Sequence, residues 1–86
     1  MTGKRMRETD FTRQFSKLLR EARIARGMSQ EQLANRAGIH RTHISLIERN
    51  HRSVRLETLE RLALALNIEP ADLIPHASRG KGRPAR

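Results

Sequence analysis

The side chains best placed for chemistry lie in the stretch RTHISLIER, where Arg41, Thr42, His43 and Ser45 follow one another with Leu46. Ile44 and Ile47 stand among them at i and i+3. A helix here would bury that stripe and display the polar remainder. A guanidinium, two hydroxyls and an imidazole on one displayed side predict a surface that reads DNA through hydrogen bonds. Two other chemistries draw on the same residues. His40, His43 and His51 are candidate metal ligands, His40 and His43 three residues apart, but no second-shell carboxylate is evident to orient them. No metal or other cofactor is expected. His43 and Glu48 are the one pair suggestive of acid–base catalysis, yet five residues put them about 500° apart around a helix, well off one face. No enzyme is expected either.

The elements that must position these residues are short helices. Ser29 is a good N-cap, and Gln32 three residues later completes a capping box. Leu33, Ala34 and Ala37 then repeat at helical spacing, and Gly38 follows where a left-handed residue is needed. Upstream, Phe11, Phe15, Leu18, Leu19, Ala22 and Ala25 form a stripe that predicts a first helix over 11–26, capped by Thr9 or Asp10 and stopped at Gly27. The second and third helices are expected over 30–37 and 41–49. NHRSVR, residues 50–55, has no apolar period and reads as a basic loop. Leu56, Leu59, Leu62, Ala63 and Leu66 predict a fourth helix over 56–66, with Asn67 as its stop. Pro70 suits the first position of a short fifth helix over 70–74, ended by Pro75. Residues 1–10 are expected to form a flexible arm and 75–86 a disordered basic tail. No stretch alternates with period two, so no sheet is expected.

Composition narrows the partners. The 86 residues hold 18 Lys+Arg against 9 Asp+Glu, a formal charge of +9, with a pI near 11.7. Such an excess attracts polyanions. Phe11 and Phe15 are the only aromatics, which disfavours single-strand binding by base stacking. The charge is also asymmetric. Residues 36–55 carry Arg36, Arg41, Arg49, Arg52 and Arg55 against Glu48 alone, whereas 56–74 carry Arg61 against Glu57, Glu60, Glu69 and Asp72. One basic face and one mildly acidic face would orient the molecule on a phosphate backbone. Cysteine is absent, which rules out disulfides and thiolate metal sites. Neither a membrane span nor a signal peptide is legible, so a cytoplasmic protein is expected.

Three motifs, ARIARGMSQEQLANRAGI, SLIERN and LETLERLALALNIEPADLI, resemble the phage-repressor and Cro-like helix-turn-helix family, also called XRE, over about residues 15–74. The resemblance implies an all-α, five-helix lambda-repressor-like domain. Within the family, RTHISLIERNHRS looks most like the controller proteins of restriction–modification systems. Carried over residue by residue, it implies that Arg41 and Thr42 face base edges in the major groove, with Ser45 and Leu46 one turn along. An arginine there can take guanine O6 and N7 together. His43 stands where controller proteins often carry an aromatic. Gln30 matches a phosphate-contacting position, and Arg36, Arg49 and Arg52 are expected on the backbone. Arg23 and Glu48 match a structural ion pair between the first helix and the end of the third. Two positions depart from the family: His40 and Arg55 replace the usual Ser or Thr at the N-caps of the third and fourth helices, and both are poor caps by residue type, though a ring nitrogen of His40 could partly compensate.

These readings predict a sequence-specific duplex-DNA-binding transcriptional regulator acting as a homodimer on a pseudo-palindromic operator, with no small-molecule effector. An antitoxin that also represses its own operon is the alternative. Leu64 lies off the main stripe of the fourth helix, either as an isolated exposed leucine or as part of a dimer contact with Ile68, Leu73 and Ile74.

Overall fold

Caps and apolar spacing settle where the helices begin and end. The computed structural model describes residues 8–75, with α1 at Glu8–Ala25, α2 at Gln30–Ala37, α3 at Arg41–Glu48 and α4 at Leu56–Leu66. Ser29 Oγ accepts from the Gln32 amide at 3.0 Å while Gln32 Oε1 accepts from the Ser29 amide at 2.8 Å, so the expected capping box is complete. Gly27 and Gly38 both take left-handed backbone (φ 69° and 71°), as the ends of α1 and α2 require. Asn67 does the same after α4 with φ 60°.

Three expectations about the helix ends need correction. First, α1 begins at Glu8, so Asp10 lies inside the helix, where it pairs with Arg13 at 3.5 Å, and does not cap it. Second, the fifth helix is a 3-10 turn, Pro70–Leu73. Pro75 follows too closely for i→i+4 bonding, and the turn closes through i→i+3 bonds from Asp72 to Glu69 and from Ile74 to Ala71. Third, His40 is a working cap: its Nδ1 accepts from the Thr42 amide at 3.1 Å. Arg55 makes no side-chain cap bond. The expectations for residues 1–7 and 76–86 lie outside the described residues.

The four helices and the 3-10 turn enclose one core. Leu19, Leu33, Ile44, Ile47, Leu62, Leu66 and Leu73 are fully buried at its centre, flanked by Phe15, Ala34, Ala37, Leu59 and Ala63. Ile39 packs partly buried against them. Leu73 therefore cannot serve a dimer contact as expected. The 3-10 turn folds back onto α4 and α1, and drives this side chain into its own protomer. Leu64 is 75% exposed, and Ile68 and Ile74 are half-buried. Leu56, expected in the stripe of α4, is 82% exposed because the first turn of that helix projects past the core. Among the described residues Ser16 is the one buried polar side chain of the core, and its hydroxyl donates to the Ile47 carbonyl at 2.6 Å. That bond docks α1 on the last turn of α3. Among the described residues no strand forms.

A good N-cap contributes about 1 kcal/mol, which in a domain of this size moves the melting temperature by roughly 4–8 °C. His40→Ala should lower the midpoint by that order, and Arg55→Asp should raise it, as read by thermal circular dichroism.

Candidate nucleic-acid interface

Eight residues make α3 little more than two turns long, so each side chain has a definite direction. Ile44 and Ile47 point into the core. At about 100° per residue, Arg41 and Ser45 share one row on the far side, and Thr42 and Leu46 share the next. Arg41 and Thr42 are exposed, and Ser45 and Leu46 are half-buried at the foot of the rows. His43 sits apart on the flank beside Ile47, also half-buried. The helix thus brings together four of its five expected base-facing residues and turns the fifth aside.

A polar network holds this helix at its far end. Arg23 on α1 meets Glu48 through a two-pronged pair, Nε to Oε2 at 2.7 Å and Nη2 to Oε1 at 3.0 Å. Its remaining nitrogen, Nη1, donates to the Met28 carbonyl at 2.8 Å. Gln30 Nε2 donates to Glu48 Oε1 at 3.1 Å. The two charged side chains are 12% and 3% exposed, so the pair lies largely out of water. The expected structural ion pair is present. It also recruits Gln30, which sequence reasoning assigned to phosphate alone; one amide hydrogen of Gln30 is already committed to Glu48. The Glu48 carboxylate accepts three hydrogen bonds within this network, and no hydrogen bond joins it to His43 among the described residues.

With Glu48 neutralised by Arg23, residues 36–55 present five arginines and no free carboxylate. Arg49 caps the C-terminus of α3, and Arg52 stands exposed in the following loop, where Asn50 adopts left-handed backbone with φ 61°. Arg36 is exposed but lines a concavity with Arg26, Gln32 and Asn67 on the α2–α4 side of the domain. On α4 and around the 3-10 turn, Glu57, Glu60, Glu69 and Asp72 are exposed; Arg61 lies 3.7 Å from Glu57 and donates to the Gly38 carbonyl at 3.4 Å. The segment 36–55 is thus left with a net excess of exposed cations, and the α4–3-10 segment with an excess of exposed acids. Among the described residues no three His, Cys, Asp or Glu side chains gather as a metal site. No described helix is long and apolar enough to cross a membrane. The Ser16 bond and the place of Gln30 in the network were not anticipated. A lone hydroxyl between Phe15 and Leu19 was the available signal for the first.

Comparison with known proteins agrees with this geometry. Residues 19–73 match the helix-turn-helix family HTH_3. The control protein C.BamHI of Bacillus amyloliquefaciens is 40% identical over 67 residues, which cover 77% of this chain and 83% of that protein. The crystal structure of the restriction–modification controller protein C.AhdI from Aeromonas hydrophila superposes with a TM-score of 0.72 at 43% identity, covering 73% of this chain and 96% of that one. The controller protein C.Esp1396I, solved as a tetramer with its natural 35 base-pair operator, gives a TM-score of 0.68 at 32% identity over 72% of this chain and 82% of that one.

Removing one partner of a buried ion pair leaves the other charge uncompensated, at a cost of about 3–5 kcal/mol. Glu48→Gln should lose stability of that order in urea unfolding, whereas Arg23→Met combined with Glu48→Leu should recover much of it.

Proposed function

The chain belongs to the XRE-type helix-turn-helix family, alongside restriction–modification controller proteins, and we propose that it is a cytoplasmic transcriptional regulator that reads duplex DNA as a homodimer. The observation that carries this reading is the displayed side of α3, where Arg41, Ser45, Thr42 and Leu46 project from a helix whose opposite side is locked in the core. The helix would lie in the major groove. Arg41 would take a guanine edge through its planar fork, and Thr42 a neighbouring base. Ser45 and Leu46 would follow one turn along, with His43 at the edge of the contact.

Backbone contacts would come from Gln30 at the start of α2, from Arg49 and Arg52 beyond α3, and from Arg36 at the periphery. Phosphate contacts fix register and supply affinity without reading sequence, so the division of labour follows from residue type and position. Two protomers would present their reading helices to successive major grooves about 34 Å apart on a pseudo-palindrome. Leu64 and Ile68, the exposed and half-buried apolar side chains at and just beyond the end of α4, are the proposed contact between protomers, together with half-buried Ile74, which lies toward α1. A relative solved as a tetramer on its operator supports oligomeric binding. The controller relatives favour this reading over the antitoxin alternative. Occupancy would then be set by the concentration of the protein itself through dimerisation.

Selection from random duplexes should return a site with two-fold symmetry. Against that operator, Arg41→Ala should relax the preference at one base pair per half-site, a loss of about 1–3 kcal/mol there. Arg49→Ala should instead weaken every sequence alike and reduce the salt slope by about 1. Equal loss of specific and non-specific binding in both variants would overturn the division of roles. Leu64→Asp should shift sedimentation toward monomer and weaken the symmetric site more than a single half-site.

A further inference from the structure

The reading helix leaves one strongly charged surface unassigned, on α1. Arg13, Lys17 and Arg20 follow at i, i+4 and i+7, so they stack along one exposed side of that helix. Arg49, at the end of α3, faces them across a shared groove. Lys17, Arg20 and Arg49 make no ion pair among the described residues, and Arg13 reaches only the exposed Asp10, at 3.5 Å. Of the carboxylates lining the groove, Glu48 is committed to Arg23, which leaves Glu21. Like charges one turn apart disfavour a helix, and none of these cations supports the core. Neither packing nor internal pairing accounts for the row.

We infer that this groove carries the phosphate backbone of DNA flanking the half-site read by α3. The inference rests on the DNA-reading role proposed for α3, because Arg49 belongs to both surfaces and makes the groove a continuation of that interface. The dimensions agree. Seven residues of helix rise by about 10 Å, which spans about four successive phosphates, three steps of about 3.4 Å, on one strand. Three long cationic side chains along α1 can thus reach phosphates within that span, and the footprint extends beyond the bases that α3 touches. An acidic protein segment would satisfy the charge, but no feature of the groove connects it to one.

The test compares wild type with the triple variant Arg13→Gln, Lys17→Gln, Arg20→Gln on two duplexes. One carries only the selected half-sites, and the other adds about one helical turn of arbitrary sequence at each end, about 10 base pairs. Wild type should bind the longer duplex more tightly and with a steeper salt dependence. The triple variant should lose that gain, its slope on the long duplex falling by about 0.9 for each phosphate contact removed. On the short duplex it should stay close to wild type. Retention of the flank-dependent gain would overturn the inference, and so would an equal loss on both duplexes, which marks a mere change in net charge. Lys17→Gln alone, measured beside the triple, should remove about one contact and serves if the triple melts early. Arg41→Ala separates the two readings: it should weaken operator preference at its one base pair per half-site while keeping the flank-dependent gain. If wild type shows no operator preference and Arg41→Ala changes nothing, the reading role of α3 falls.

Discussion

The pair between Arg23 and Glu48 is the contact on which the rest of the molecule depends. It joins the end of α1 to the end of α3, and through Met28 and Gln30 it also holds the entry to α2. Helices of eight residues do not persist alone in water, so α2 and α3 owe their existence to such anchoring and to the core beneath them. A guanidinium suits this task because its donors lie in one plane and can serve a carboxylate and a carbonyl at once. Lysine could supply the charge but not the fork. The Ser16 hydroxyl, bonded to the carbonyl of Ile47, secures the same junction from the apolar side.

The junction has an electrical consequence as well as a mechanical one. Glu48 is the one carboxylate of residues 36–55, and its pairing with Arg23 withdraws it from the surface potential. The acids that remain exposed lie on α4 and the 3-10 turn, with Glu31 on α2 and Glu21 on α1. An uneven distribution of charge of this kind favours some orientations toward a polyanion before any specific contact forms.

Much of this was legible in the sequence, for reasons that differ by element. The bounds of α2 and α4 follow from local signals: the Ser29 capping box, the glycine at position 38, the leucine stripe and Asn67. The ion pair came through resemblance, since 25 residues of sequence separation hide a contact from any periodicity. The misreadings share one cause, which is that spacing along a helix does not say where the partner ends. Leu56 fits the stripe of α4 but projects beyond the core, and Leu73 looked like surface until the 3-10 turn folded it inward. His40 was a poor cap by statistics and a good one by geometry, because an imidazole nitrogen can accept as an oxygen does. Gln30 could not be divided between the network and solvent without coordinates.

The split of α3 into a side that folds and a side that faces outward also bears on how such a protein changes over generations. Ile44 and Ile47 are fully buried, while Arg41 and Thr42 take no part in the core. Exposed substitutions of that kind usually shift stability by no more than about 0.5 kcal/mol. Mutation can therefore explore new side chains at these two positions at little risk to folding, whereas a change at either isoleucine is purged for reasons unrelated to any target. One scaffold can in this way diversify what it contacts while its interior stands still.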